Sequence, residues 1–121
     1  MANPFGHIEL NTQDVGKAKN FYKSLFKWEF QDMQGAGGID YTLIQTGTPP
    51  GGGLMKHPMP GVPSFWLVYV NVDNLAASTA KVKSLGGVVH KDITEVPGYG
   101  HFSIVADPTG AVFALWEPKK A

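Results

Sequence analysis

The chain has 121 residues, of which ten are basic and ten are acidic, and it contains no cysteine. The balanced charge does not indicate binding to nucleic acid or to an anionic membrane surface. The lack of cysteine excludes disulfides, thiolate metal sites and cysteine nucleophiles. No apolar run reaches the ~20 residues of a membrane span and the N-terminus has no signal-peptide pattern, so we expect one cytoplasmic domain over 1–121.

The first half of the sequence predicts a strand, a helix and three further strands. The strand is expected at 6–11, and the helix over 15–26 begins after Asp14, a residue type that caps helices. The three further strands are expected near 28–32, 40–46 and 52–56. The segments QGAGG and GTPPGGG are predicted to be the turns between these strands.

The second half predicts the same order of elements. The segment WLVYVNV is a strand, and Asp73 or Asn74 caps a helix over 75–85 that the two glycines at 86–87 terminate. The last strands are expected near 88–95, 101–106 and 111–117, with DPTG as the turn before the final one. The proline-rich stretch at 57–63 then links two units, at about 1–56 and 64–121.

The two halves also match each other along the chain. The tripeptide KSL at 23–25 returns at 83–85, an offset of almost half the chain. At the same offset, the order of strand, cap, helix and turn signals repeats without a gap. Repeats of this length indicate a duplicated supersecondary unit.

Three segments carry a family resemblance: HIELNTQDVGKAKNFYKSLFKW, YVNVDNLAASTAKVKSLGG and the terminal DPTGAVFALWEP. Together they resemble the vicinal oxygen chelate superfamily, which includes glyoxalase I, the bleomycin-resistance proteins and the extradiol dioxygenases. The sequence is most similar to small proteins related to lactoylglutathione lyase. The resemblance implies an α+β fold in which tandem βαβββ units form a curved mixed sheet that encloses a cup, with the helices outside. It also implies a homodimer.

Enzymes of this family hold a divalent metal with His and Glu from the first and last strand of each unit. The resemblance places the first position at His7, its partner at Leu67, and the last-strand positions at Leu54 (or neighbouring Gly53) and at Ala114. Only His7 has a donor atom, so we expect no family-type metal and no other cofactor. A rearranged metal site built from His7, Glu9 and His101 stays open as an alternative.

The candidate catalytic residues are Glu9 and His7, which lie two apart on the first strand and so share a face. A carboxyl group in an apolar, aromatic cup is suited to proton transfer. It could equally bind a cationic group, or be fixed in a polar network with Tyr69 or Asn71. The substrate-binding candidates are Tyr69, Leu67, Asn71, Trp66, Gly53, Leu54, Ala114 and Trp116.

Three functions agree with these residues. The first is a metal-independent, lyase-like enzyme that moves a proton on a small carbonyl or epoxide-like substrate. The second is a bleomycin-resistance-type protein that sequesters a drug or metabolite. The third is a divergent metal-dependent lyase or dioxygenase with a rearranged site. All three predict a small-molecule ligand and no nucleic-acid partner.

Overall fold

The computed structural model describes residues 2–34 and 40–120, without the side chain at position 34. The predicted turn QGAGG therefore lies, after its first residue, outside the described residues. The chain divides into two compact units. The first is His7–Leu67, and the second comprises the described residues before His7 together with those from Val68 onward.

The first unit has the order strand, helix and three strands that the sequence predicts. Its elements are β1 (Phe5–Thr12), α1 (Val15–Leu25), β2 (Glu29–Gln34), β3 (Asp40–Gln45) and β4 (Gly52–Lys56). The strands lie in the order β2-β3-β4-β1. Strand β1 runs parallel to β4, while β3 is antiparallel to both β2 and β4.

Helix α1 begins where the sequence places it and covers one face of this sheet. The Asp14 side chain caps the helix by accepting a hydrogen bond from the Lys17 backbone N–H at 3.0 Å. Leu10, Ile44 and Leu54 are buried together on the face of the sheet that packs against the helix. Partly buried side chains packed on them are Val15, Ala18, Tyr22, Trp28 and Phe30.

The second unit repeats this plan. Its elements are β5 (Phe65–Asn71), of which the part before Val68 is grouped with the first unit, α2 (Leu75–Ser84), β6 (Val88–Val96), β7 (Gly100–Ala106) and β8 (Val112–Pro118). They lie in the order β5-β8-β7-β6, with β5 parallel to β8 and the other pairs antiparallel. The core under α2 consists of Val72, Leu75, Val105 and Leu115.

Both ends of α2 follow the predicted chemistry. Asn74, one of the two predicted caps, accepts a hydrogen bond from the Ala77 N–H at 3.0 Å. At the other end, Gly86 adopts φ +90°. The Gly87 N–H then donates to the Val82 carbonyl at 2.9 Å, which completes the glycine-dependent Schellman arrangement.

The α+β class and the tandem βαβββ organisation are confirmed. None of the helices in residues 2–34 and 40–120 is long and apolar enough to cross a membrane.

Candidate functional site

The candidate site in the first unit is a buried hydrogen-bonded network centred on Glu9. This side chain is only 7 % exposed, and both of its carboxyl oxygens accept hydrogen bonds. Asn11 Nδ2 donates to Oε1 at 3.0 Å, and the Tyr41 hydroxyl donates to Oε2 at 2.9 Å. Acceptance at both oxygens is the pattern of an ionised carboxylate.

His7 joins the network through Tyr41. Its Nε2 lies 2.7 Å from the Tyr41 hydroxyl oxygen, and the two rings stack with centroids 6.2 Å apart. Because the single proton of a tyrosine hydroxyl is here donated to Glu9, His7 Nε2 must carry the proton of the other bond. The network therefore runs in one direction, from the imidazole N–H to the phenol and from the phenol to the carboxylate.

The pKa of His7 is lowered below its ordinary value of 6.5. Burial of the imidazole is the larger cause, since it disfavours the charged form. The nearby Glu9 carboxylate acts in the opposite direction and offsets part of this effect. At neutral pH the ring is therefore uncharged, which agrees with a single N–H donated to Tyr41.

The side chains of this network lie on β1 and β3, and a glycine on β4 leaves room for one of them. His7, Glu9 and Asn11 alternate along β1, so their side chains share the face opposite to Leu10 and α1. Gly53 of β4 lies beside Glu9 in the parallel register. A Cβ atom at position 53 would overlap the hydroxyl and ring of Tyr41, so the absence of a side chain makes room for the tyrosine.

Two predicted binding residues of the first unit lie elsewhere. Leu54 is fully buried with Leu10 and Ile44 on the α1 face, so of the two register alternatives it is Gly53 that lies beside Glu9. Trp66 packs edge-on against Tyr22 at 5.5 Å and against Trp28 at 6.3 Å. Both side chains belong to the packing around α1, and their part in ligand binding stays a prediction.

The remaining predicted residue of the first unit, Leu67, is buried and 3 % exposed. It ends the first unit on strand β5.

In the second unit, the predicted binding residues form an aromatic cluster. Tyr69 is 7 % exposed and meets Phe102 at 6.1 Å and Trp116 at 6.3 Å between ring centroids, both at steep angles. Ala114 is fully buried and lies beside Tyr69 in the β5–β8 register. Asn71 lies beside Trp116 two pairs further along.

Asn71 is held mainly through its backbone. Its N–H donates to the Pro4 carbonyl at 2.9 Å, and its carbonyl accepts from Asn3 Nδ2 at 2.9 Å. Its side-chain Oδ1 is buried and has no hydrogen-bond partner within the part of the chain that the structure describes.

His101 lies on the α2 face of its sheet. Two residues along β7, the Ser103 hydroxyl bonds the Thr79 hydroxyl of α2 at 2.9 Å, which fixes this face. His101 lies opposite Glu117 in the β7–β8 register, and Glu117 Oε1 accepts the Leu75 N–H of α2 at 2.9 Å. Tyr69 and its aromatic partners occupy the alternate positions.

Sequence reasoning missed Tyr41 as a partner of Glu9 and His7, because this residue lies on a different strand, β3, that is distant from β1 along the chain. The available signal was its strand: β3 is adjacent to β4, and Tyr41 lies two residues before Leu43, the residue opposite Gly53, so its hydroxyl can extend into the space that the glycine leaves.

Comparison with known proteins identifies the family. Residues 5–115 match the model of the glyoxalase/bleomycin resistance protein/dioxygenase superfamily. This match covers most of the chain, and the protein belongs to that superfamily.

Several relatives are similar in sequence. CFP32 of Mycobacterium bovis, provisionally named a glyoxylase, is 36 % identical over 91 % of this chain and 42 % of its own length. The anthracycline biosynthesis protein DnrV of Streptomyces peucetius is 30 % identical over 90 % of this chain and 45 % of its own. A glyoxylase-like domain-containing protein of Didymella fabae is 31 % identical over 89 % of this chain and 88 % of its own. The chain thus spans less than half the length of the first two relatives.

Solved structures share the fold. A hypothetical protein of Bacillus halodurans superposes with a TM-score of 0.76 at 14 % identity, covering 100 % of this chain and 98 % of its own. Methylmalonyl-CoA epimerase of Mycobacterium tuberculosis superposes with a TM-score of 0.70 at 16 % identity, covering 96 % and 88 %. At these identities the likeness extends to the fold alone.

The metal that the family resemblance implies does not fit the residues of this chain. Of the four expected positions, His7 alone offers a donor, since Gly53, Leu67 and Ala114 have no side-chain lone pair. Within the described ranges, 2–34 and 40–120, no three or more His, Asp or Glu side chains are grouped so that they could hold a metal ion.

Proposed function

We propose that this protein binds a small organic molecule and transfers a proton on it at Glu9, without the metal centre of its metalloenzyme relatives. The observation that carries the proposal is the Glu9 carboxylate, which is buried and oriented by Asn11 and Tyr41. A fixed carboxylate of this kind is suited to general base catalysis, which contributes roughly 10²–10⁴-fold to a rate.

The reaction class we propose is proton abstraction next to a carbonyl group. The Glu9 carboxylate takes the proton from the carbon, and the electron pair of the broken C–H bond moves to the carbonyl oxygen as an enolate. Return of the proton to the same carbon completes an epimerisation. When that carbon carries a hydroxyl group, the hydroxyl proton moves to the enolate oxygen, and return of the abstracted proton to the neighbouring carbon leaves a carbonyl at the first carbon and completes an isomerisation. This chemistry would relate the chain to lactoylglutathione lyase in the type of step, with the base supplied by the first unit.

The donor set supports metal independence. With glycine, leucine and alanine at three of the four expected positions, a divalent ion would have a single imidazole ligand there. His7 Nε2 also bonds the Tyr41 hydroxyl.

The runner-up is a binding protein of the bleomycin-resistance type. Its specific support is the cluster of Tyr69, Phe102 and Trp116, because edge-on aromatic rings suit a planar aromatic ligand. A relative named for anthracycline biosynthesis agrees with such a ligand. A homodimer, which the resemblance implies, and a cytoplasmic location accompany either function as expectations.

The proposal is tested by hydrogen exchange with solvent. Chelator-treated protein is incubated in D2O with small hydroxyketones and with the hemithioacetal of methylglyoxal and glutathione, and deuterium incorporation is followed by NMR. We expect exchange that Glu9→Gln lowers about a hundredfold or more, with an unchanged melting temperature. Glu29→Gln, on an exposed residue of the same unit, is the matched control.

Exchange that Glu9→Gln leaves intact, or that appears only when a metal is added back, would contradict the proposed role of Glu9. Tight binding of planar aromatic compounds without any exchange would favour the binding protein.

A further inference from the structure

We infer that Tyr41 is the positioning residue of the Glu9 site, and that glycine at position 53 is required because the tyrosine hydroxyl occupies the space of a side chain there. This inference rests on the proposed function of Glu9 and names the group that orients it. Its first support is steric. Gly53 lies beside Glu9 in register, and a Cβ there would overlap Tyr41, so any side chain at position 53 would displace this hydroxyl from its present place.

The second support is the direction of the hydrogen bonds. His7 donates to the Tyr41 oxygen, and Tyr41 donates to Glu9, so each bond polarises the next and strengthens it. The direction depends on a neutral imidazole whose proton is on Nε2, and the burial of His7 favours the neutral ring. Tyr41 therefore holds one carboxylate oxygen in place and leaves proton transfer itself to Glu9.

The third support comes from the residue of the second unit that is equivalent to Tyr41. Leu43 lies opposite Gly53, and Ile104 lies opposite Ala114, so Phe102 is the counterpart of Tyr41. Phe102 packs on Tyr69 with a ring that has no hydroxyl. A phenyl ring thus satisfies the packing of this strand position, and the hydroxyl of Tyr41 serves the polar network.

The test reads the tautomer of His7 directly and needs no substrate. Nitrogen-15 NMR of the histidine rings distinguishes Nε2–H from Nδ1–H, and the His7 signals are assigned by their loss in His7→Gln. Above the pKa of His7 we expect the wild type to show the Nε2–H form. Tyr41→Phe should shift the His7 ring signals and mix the tautomers, because the N–H loses its acceptor, while the fold keeps its circular dichroism.

Gly53→Ala should give the same spectroscopic change as Tyr41→Phe, since the added methyl group displaces the hydroxyl. Gly16→Ala is the matched control: it lies in α1, where the added Cβ would be 3.8 Å from Asp14 Oδ1, and it should leave the His7 signals unchanged. Should Gly53→Ala fail to fold, Tyr41→Ala is compared with the double variant Tyr41→Ala/Gly53→Ala. With the tyrosine ring removed, the added methyl group should leave the melting temperature nearly unchanged.

The exchange assay then connects position to function. Tyr41→Phe should lower kcat about tenfold with little change in KM, as expected when a hydrogen bond that orients the base is lost. Unaltered His7 signals in both Tyr41→Phe and Gly53→Ala would overturn the inference, even if Glu9→Gln abolishes exchange. Conversely, altered His7 signals together with an active Glu9→Gln protein would support the hydrogen-bonded network and contradict the proposed function.

Discussion

The two units differ most at the strand pair where their first and last strands run side by side. In the first unit, Glu9 lies beside Gly53, and a tyrosine hydroxyl fills the space above the glycine. In the second unit, Tyr69 lies beside Ala114, and a phenylalanine ring packs on the tyrosine. One backbone plan therefore carries a polar network in one copy and an aromatic cluster in the other. The comparison indicates that divergence after duplication changed the chemistry of one face and kept the helix-packed cores.

The register also shows that the repeat is not uniform. Tyr69 follows Glu9 at the same offset that separates the two KSL tripeptides, whereas Ala114 lies one position beyond that offset from Gly53. The β6–β7 pairing contains two register irregularities, while the β2–β3 pairing keeps one register from end to end. An extra residue in the second unit therefore shifts the equivalence of the later strands by one.

Replacing matching leucines in the two cores tests whether the cores are equivalent. These substitutions have the largest expected effect on stability. Leu54 and Leu115 lie at equivalent positions, beside Leu10 and Val70, and are 0 % and 6 % exposed. Leu54→Ala and Leu115→Ala should each lower the free energy of unfolding by about 2–5 kcal/mol, since each leaves a cavity in a core. Urea unfolding measures both. A loss well below about 1 kcal/mol for either variant would show that its unit does not depend on this core.

A smaller effect is expected when the helix caps are removed. Asp14 and Asn74 each accept a 3.0 Å hydrogen bond from the third residue of the helix that follows. Asp14→Ala and Asn74→Ala should each cost about 1 kcal/mol of unfolding free energy. Thermal unfolding of the two variants checks this, with Asp14→Asn and Asn74→Asp as controls that retain a cap. Clearly unequal losses would contradict the equivalence of the two helix starts.

The smallest effect is a pH dependence that comes from His7, whose counterpart in the sequence repeat is Leu67, a side chain that does not titrate. The pKa of His7 is lowered in the folded protein by burial, so the unfolded chain binds the proton more readily. The free energy of unfolding should therefore fall as the pH drops below about 6.5, and level off below the folded-state pKa. Above this window His7 contributes no pH dependence.

The measurement is urea unfolding at a series of pH values on the wild type and on His7→Gln. Subtracting the two curves removes the contribution of His57, His90 and His101. A difference curve that is flat through this window, or that rises toward acid, would contradict the burial of a neutral His7.

The parts of the fold that could be predicted from sequence are those governed by local chemistry. The cap at Asp14 and the paired glycines after α2 act within a few residues, so the helix limits follow from the sequence to within a residue or so. The face of Glu9 also follows from strand alternation. The sequence could not decide whether Leu54 or Gly53 lies beside Glu9. The answer depends on the extra residue of the second unit, which is accommodated by pairing irregularities in β6 that leave no local signal.

The contacts of the candidate site were harder to predict. Tyr41 reaches Glu9 from a strand that is distant along the chain, and this contact depends on the register of β3 against β4. Trp66 is different, because alternation along β5 places it on the opposite face from its neighbour Leu67, so its position beside α1 could have been predicted.

We propose that the first unit carries its chemistry on Glu9, Tyr41 and His7 without a bound metal. Metal stoichiometry tests it most directly: untagged protein is incubated with Mn, Fe, Co, Ni and Zn salts, dialysed, and analysed for metal per chain. We predict a small fraction of one equivalent, with the same value for His7→Ala. Close to one equivalent per chain in the wild type, lost in His7→Ala, would contradict the account.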